Sequence, residues 1–86
     1  SREMRVQKIN WISGTAPASS FRAQVKIRYA AREAWATITI DDKDPKEARV
    51  VFDESQRDIT PGQAAVFYDE ELCLGGGMIL PNAEAA

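Results

Sequence analysis

Histidine is absent from this sequence of 86 residues, and cysteine occurs once, as Cys73. Without histidine the chain lacks the commonest general base and the commonest metal ligand, and it has no Ser-His or Cys-His pair for nucleophilic catalysis. A zinc site would need carboxylates almost alone, a poor match to the nitrogen and sulfur ligands that zinc prefers. These absences argue against catalysis or metal binding by the chain itself.

Long apolar runs are missing as well. No segment approaches the ~18 residues needed to span a bilayer, and residues 1–4 lack the charged-then-apolar plan of a signal peptide. A single cysteine cannot form an internal disulfide, which fits a reducing compartment. We therefore expect a soluble, cytoplasmic protein that does not contact a membrane and is stabilised by its core alone.

The length and composition are those of one small globular domain. Hydrophobic residues make up 44% and charged residues 28% of the chain, which excludes a disordered tail or a charged linker. A chain of this size can build one core and not two. We expect a single domain over residues 1–86, with residues 81–86 as a frayed tail that has nothing to bury.

Charge is distributed unevenly along the chain, although the formal net charge is only −2. Residues 1–40 contain seven lysines and arginines against two acidic residues, whereas residues 41–86 contain four against eleven. One interpretation is that the domain has two differently charged faces, of which the positive one meets a polyanion. The other is that complementary charges pair between neighbouring strands. Composition favours neither.

Alternation of apolar and polar residues, the pattern of a half-buried strand, dominates the sequence. Over residues 21–29 the odd positions are apolar and the even positions are polar, so the odd positions are predicted to face inward. Residues 35–40 repeat the pattern with many β-branched side chains. We expect these two strands to pair, with residues 30–33 as the hairpin loop.

Four further strands are predicted at 6–12, 48–53, 64–68 and 72–80. The breaks between strands contain turn residues: Ser-Gly-Thr-Ala-Pro, Asp-Asp-Lys-Asp-Pro and Thr-Pro-Gly-Gln. No segment of helical length shows helical periodicity. The prediction is an all-β fold, a small six-stranded antiparallel β-barrel, because closure removes the exposed edges of a flat sheet.

Two motifs resemble ligand sites only superficially. Asp41, Asp42 and Asp44 lack the mid-loop glycine and the closing glutamate of an EF-hand, so we interpret them as a solvated turn. The glycines at 75–77 would suit an anion-binding nest, but no Gly-Lys-Ser/Thr follows them. A bend or bulge in a tightly curved barrel strand is the preferred interpretation.

Cysteine and tryptophan offer few candidates for chemistry. Cys73 lies between two leucines, and we expect a packed thiol with no chemical role. Trp11 and Trp35 suit either packing in the core or an interface, or stacking on nucleic-acid bases. Trp35 shares its strand face with two threonines and is therefore expected to be the more exposed of the two tryptophans.

The polar face of the strand at 21–29 carries a basic stripe, Arg22, Lys26 and Arg28. Alternate residues on a strand lie about 7 Å apart, close to the spacing of successive phosphates. The stripe therefore points to a nucleic-acid contact. A solvated sheet face would give the same pattern, and the chain has no RNP-like aromatic motif, so both interpretations stay open on the residues alone.

Four segments carry a more specific signal, and they occur in a fixed order. They are Asn-Trp-Ile-Ser-Gly at 10–14, Val-Lys-Ile-Arg-Tyr at 25–29, Thr-Pro-Gly-Gln-Ala-Ala-Val-Phe-Tyr-Asp at 60–69 and Cys-Leu-Gly-Gly-Gly-Met-Ile at 73–79. In order and spacing they resemble the C-terminal region of bacterial tRNA-specific 2-thiouridylases. The resemblance extends from about residue 6 to residue 80.

This resemblance implies a parent enzyme with an N-terminal ATP-pyrophosphatase domain, a small central domain and this barrel. In the family, ATP adenylates the C2 oxygen of the wobble uridine of tRNA, and a cysteine persulfide then delivers sulfur to give 2-thiouridine. A sulfur-carrier protein acts on the parent enzyme. The nucleotide-binding loop and the two catalytic cysteines of the family have no counterpart here. The chain is therefore expected to be inactive alone and to hold no cofactor, since ATP belongs to the parent.

The resemblance also implies a role for the barrel, which is to bind and position tRNA. The candidate contacts are Lys26, Arg28, Arg57 and Gln63, whose side chains offer hydrogen bonds to phosphates or bases. The alternative is a structural module that packs on the catalytic and central domains of the parent and touches RNA little. A barrel that binds a small molecule is disfavoured, because six short strands leave little room for a cavity.

Overall fold

The fold consists of six strands in a computed structural model that describes residues 2–27, 33–57 and 59–81. The strands are β1 (Glu3–Trp11), β2 (Ser20–Ile27), β3 (Glu33–Ile40), β4 (Ala48–Phe52), β5 (Ala64–Asp69) and β6 (Leu72–Ile79). Among the described residues there is no helix, and hence none long and apolar enough to cross a membrane. The predicted all-β class is confirmed.

The strand boundaries agree with the predicted ones to within three residues wherever the chain is described. The largest difference is at β1, which begins at Glu3 instead of residue 6. Glu33, predicted to lie in the hairpin loop, is the first residue of β3. The rest of that loop, the predicted end of β2 at 28–29 and the tail at 82–86 lie outside the described residues.

The six strands close into an antiparallel barrel in the order β1-β4-β3-β2-β5-β6, and β6 pairs with β1. The predicted barrel is therefore confirmed, including the pairing of β2 with β3. All odd-numbered strands run in one direction, which gives the barrel two ends. We call the end at which β1, β3 and β5 begin the first rim, and the opposite end the second rim. At the second rim they end, and the connections 12–19, 41–47 and 70–71 lie there.

Apolar side chains fill the interior of the barrel because alternate residues of each strand point inward. Phe52 and Phe67 are the largest fully buried side chains. Trp11 is 7% exposed, stacks on Phe67 with ring centroids 5.6 Å apart, and donates its indole N–H to the carbonyl of Pro45 at 3.0 Å. Trp35, by contrast, is 42% exposed, as predicted.

The glycine triplet lies within β6, between β1 and β5, where the strands approach closely. A Cβ added to Gly77 would lie 2.5 Å from the carbonyl oxygen of Gln7, and one added to Gly76 would lie 2.8 Å from that of Ala65. The register of β1 against β6 shifts between Gln7 and Asn10, and Lys8 within this bulge has a φ of 55°. The strand interpretation is confirmed, and irregularities flank the glycines on both sides: the bulge in β1, and a register shift of β6 against β5 between Gly75 and Cys73.

The acidic segment before β4 is a hydrogen-bonded turn, as the sequence predicted. One carboxylate oxygen of Asp41 accepts the backbone N–H groups of Lys43 and Asp44, both at 3.0 Å. Asp44 in turn accepts the backbone N–H of Lys46 at 2.9 Å. These carboxylates satisfy the backbone of the turn, and the part of the chain that the structure describes contains no cluster of three or more potential metal ligands.

Gly77→Ala tests the close approach between β6 and β1. The added methyl group would force the backbones apart, and we expect the free energy of unfolding to fall by about 3 kcal/mol. The matched control is Gly14→Ala, because nothing lies within 4 Å of a Cβ at Gly14. There only the positive φ of 97° is penalised, at about 1 kcal/mol. Urea denaturation measures both, and equal losses would contradict the steric explanation.

Candidate nucleic-acid interface

The candidate contacts within the described residues gather at the first rim. Lys26 is exposed at the next-to-last position of β2, opposite Val66 of β5 and Glu33 of β3. Arg57 is exposed in the connection between β4 and β5, which begins and ends at the first rim. Gln63 immediately precedes β5 and is half-buried. Arg28, the fourth predicted contact, lies outside the described residues.

Backbone hydrogen bonds hold Gln63 in place on the first rim. Its N–H donates to the carbonyl of Thr60 at 3.2 Å, and its own carbonyl accepts the N–H of Ile79 at 2.9 Å. The N–H of Gly62, whose φ is 89°, also donates to the carbonyl of Ile79 at 2.8 Å. The Pro-Gly-Gln segment is thus a turn anchored to the end of β6, which presents Gln63 from a fixed backbone.

Arg22 is engaged within the barrel, although it lies on the same outer face as Lys26. Its guanidinium donates two hydrogen bonds to the carboxylate of Asp53, at 2.7 and 2.6 Å, and lies 5.6 Å from the ring centroid of Trp35. Bidentate pairing of this kind fixes the plane of the guanidinium as well as its position. Arg22, one residue of the basic stripe, is therefore neutralised by the carboxylate of Asp53.

The groove beside Trp35 is acidic. Its volume is about 420 Å³, and its walls include Glu33, Asp53 and Glu54 together with the exposed indole. Asp53 is neutralised by Arg22, which already lies over the ring, and the other two carboxylates, Glu33 and Glu54, still repel phosphate. A polyanion would therefore approach the first rim on the side of Lys26 and Gln63 and not through this groove.

Two carboxyl groups have lowered pKa values for identifiable reasons. The hydrogen bond from Arg22, reinforced by the positive charges of Arg22 and Arg2, lowers the pKa of Asp53. The backbone N–H groups of Lys43 and Asp44, together with Arg5, lower the pKa of Asp41. Both carboxylates act in structural pairing, and neither has the raised pKa that a general acid requires.

Comparison with known proteins gives this barrel a family. The sequence profile of the aminomethyltransferase beta-barrel domain matches residues 1–79. The chain belongs to the aminomethyltransferase beta-barrel domain family. Within that family it is similar to parts of enzymes named tRNA-specific 2-thiouridylase MnmA, so the predicted resemblance to the C-terminal domain of 2-thiouridylases is confirmed.

Three of these relatives show how far the similarity extends. The enzyme of Francisella philomiragia is 46% identical over 72 residues, which are 84% of this chain and 20% of the relative. That of Shewanella frigidimarina is 46% identical over 79 residues, 92% of this chain and 21% of the relative. That of Acinetobacter baylyi is 49% identical over 76 residues, 86% and 20% respectively. The chain thus spans about a fifth of the length of the curated relatives it matches.

The sequence left open whether the unevenly distributed charges pair with one another, and in this barrel several of them do. Arg5 and Arg22, from the first forty residues, pair with Asp41, Glu47 and Asp53 from the rest of the chain. The uneven charge distribution was a signal for such pairing, and complementary charges on neighbouring elements account for much of it. Which carboxylate meets which arginine depended on the strand order, since Arg22 reaches Asp53 across β3.

The pairing of Arg22 with Asp53 predicts a pH-dependent contribution to stability. Because the folded-state pKa of Asp53 is lowered, the pair stabilises the fold above the unfolded pKa of about 3.9, and this contribution disappears as the pH falls through the lower folded value. Asp53→Asn should therefore lower the urea midpoint at pH 7 and leave it unchanged near pH 2. Asp42→Asn, in the exposed turn, is the control. Equal midpoints of Asp53→Asn and wild type at pH 7 would contradict the prediction.

Proposed function

We propose that this barrel positions tRNA for a 2-thiouridylase, with the first rim as the contact surface. The relatives are named as enzymes that act on tRNA, and the chain belongs to the same domain family. In the parent enzyme, ATP would activate the wobble uridine, a sulfur-carrier protein would supply the sulfur, and the reaction would take place in the cytoplasm. The catalytic and central domains would carry that chemistry.

The observation that carries this proposal is the difference between paired and unpaired cations. The arginines on the described strands, Arg5, Arg22 and Arg49, each form an ion pair with a carboxylate. Lys26 and Arg57 at the first rim are exposed and form no ion pair with any described residue. A cation that forms no ion pair with a described residue is available to a phosphate. Lys43 and Lys46 at the second rim are exposed and unpaired in the same sense, but they share their turn with Asp41, Asp42 and Asp44, whose carboxylates repel phosphate, so the first rim is the favoured contact surface.

Gln63 and Arg28 complete the proposed contact. The amide of Gln63 can donate to a phosphate or accept from a base edge, and its backbone is already fixed. Arg28 follows Lys26 by two residues in the sequence and adds a further positive charge. Phosphate contacts of this kind set position and orientation and do not read sequence, which suits a domain that orients a substrate for chemistry elsewhere.

A salt titration of tRNA binding by the full-length protein tests the contact surface. Each cation that meets a phosphate contributes about 0.7 to 0.9 to the slope of log K against log salt. Lys26→Ala/Arg57→Ala should therefore weaken binding for all substrate tRNAs and reduce the slope by roughly 1.5.

The control for this titration is Lys43→Ala/Lys46→Ala, which removes the same charge from the second rim. The control should change neither affinity nor slope by a comparable amount. Equal effects of the two double variants would mean that only net charge matters. No effect of Lys26→Ala/Arg57→Ala would favour a packing module that touches RNA little.

The isolated chain should not catalyse any step of thiolation. It has one cysteine where the family uses two, and it lacks a nucleotide-binding loop, so neither adenylation nor sulfur transfer has its reacting groups. Incubation of the purified chain with ATP and tRNA, followed by mass spectrometry of the nucleosides, should show no 2-thiouridine and no adenylated RNA. Its own tRNA affinity should be micromolar or weaker, as is usual for nonspecific contacts. Formation of either product would overturn the prediction.

A further inference from the structure

The outer face of β5 and β6 carries no charge. Strand register pairs its side chains across the hairpin, in the order Ala64 with Met78, Val66 with Gly76 and Tyr68 with Cys73. Met78 is 42% exposed and the other five are half-buried at the surface. We call these six residues the uncharged strip. In a chain of which 28% is charged, six neighbouring surface positions on two strands without a charge need an explanation.

The rest of the barrel wall is the opposite in character. Ion pairs lie on the outer faces of β1 to β4 and the connections beside them, where Lys26 is also exposed: Glu3 with Arg49, Arg5 with Asp41 and Glu47, and Arg22 with Asp53. Within each pair the positive and negative charges neutralise each other, and the side chains lie on the outer surface of the barrel. The wall is thus divided into a self-paired polar side and an apolar side.

The apolar side continues onto the second rim. Ile12 and Leu72 are each 64% exposed, the largest exposed fractions among the large hydrophobic residues that the structure describes. Together with Cys73 and Leu74 they line a groove of about 280 Å³, and Cys73 connects this groove to the uncharged strip. The exposed apolar surface is therefore one continuous area that runs from the second rim along β5 and β6.

An acidic edge borders this area. It consists of Asp69, the last residue of β5, and of Glu70 and Glu71 in the turn that joins β5 to β6. The turn is held in one conformation, because the N–H of Glu70 donates to the side-chain oxygen of Gln24 at 3.0 Å and Glu70 adopts a φ of 56°. Three carboxylates next to Leu72 repel phosphate, and the strip itself offers no cation to bind one. This side of the barrel is not built for RNA.

An apolar centre with a polar edge is the anatomy of a protein interface. The acidic edge requires a partner with basic groups at the matching position, and a second copy of this chain would present the same carboxylates. The relatives are about five times as long as the matched segment, so in them a barrel of this kind has much further polypeptide beside it.

We propose that the uncharged strip, with Ile12 and Leu72, is the surface on which a neighbouring domain of the same polypeptide docks, with basic residues of that domain facing Asp69, Glu70 and Glu71. This docking surface reaches the first rim at Ala64 and Met78, where Val66 lies opposite Lys26 of β2, but its most exposed residues, Ile12 and Leu72, lie at the second rim. It rests on the family of the chain and not on tRNA binding, so the two proposals fail independently.

Cys73 is a natural probe, because the one thiol of the chain lies inside the strip. The test compares the rate at which a maleimide labels Cys73 in two proteins. One is the isolated chain, and the other is the Shewanella frigidimarina enzyme in which this chain replaces the matched segment, with labelling read by peptide mass spectrometry. Docking within one polypeptide needs only modest affinity, since the effective concentration is about millimolar. We expect labelling at least tenfold slower in the chimeric enzyme.

Two variants and a control connect that protection to the surface. Leu72→Glu and Met78→Glu place a charge on exposed positions of the surface and should restore the labelling rate of the isolated chain. Thr39→Glu places the same charge on the exposed outer face of β3 and should leave Cys73 protected. Circular dichroism and thermal denaturation of each variant as an isolated chain check that the barrel is folded.

Every other outcome overturns the proposal. Equal labelling rates in the chimeric enzyme and the isolated chain would mean that nothing docks on the strip. Protection that appears only when tRNA is added would identify RNA as the occupant. Protection of the isolated chain that increases with its own concentration would identify a second copy.

Discussion

The close approach of β6 to β1 is the constraint on which the rest of the barrel depends, because it is the contact that closes the sheet. Gly77 and Gly75 bring the β6 backbone against the carbonyl oxygens of Gln7 and Asn10, at a separation that leaves no space for a Cβ. The bulge at Lys8 lies in β1 between these two carbonyl groups. Without closure, β1 and β6 would be free edges, and the inward side chains would not be covered from all sides.

Closure also buries the inward side chains from all sides, so the core does not constrain the chemistry of the outward side chains. The inward positions form one apolar core, in which Phe52 and Phe67 are the largest fully buried side chains. Because the core is formed by the inward side chains, the outward side chains of the strands need not share one chemistry. One part of the wall carries mutual ion pairs, another part has no charge, and the first rim has cations that form no ion pair with a described residue.

This division has a physical consequence for a domain that works beside others. A polyanion is attracted by cations that are not paired within the domain. Another protein binds best to a surface whose desolvation costs little free energy. The first rim meets the first condition, and the uncharged strip with Leu72 meets the second. The two surfaces adjoin where Val66 lies opposite Lys26, but Leu72 and Arg57 lie at opposite rims, so a barrel held by protein at the second rim would still present the first rim to tRNA.

Much of the fold followed from the sequence, because strand periodicity and turn chemistry are local. The alternation at 21–29 and 35–40 identified β2, β3 and the inward residues, and the Asp and Pro-Gly segments marked turns that the structure contains. The glycine triplet indicated a strand in close contact, although its neighbour in β1 could not be named. The family resemblance came from the same kind of short, ordered segments.

The tertiary structure alone decided which charges remain available. Arg22 and Lys26 are equivalent in the sequence pattern, yet Arg22 is held by Asp53, 31 residues away, while Lys26 forms no ion pair with a described residue. That difference depends on β4 lying beside β3, a pairing that local periodicity does not encode. The same holds for the uncharged strip, whose six residues come from two strands and form one surface only through their register. Local sequence determined which residues face outward, and the order of the strands determined what each of them meets there.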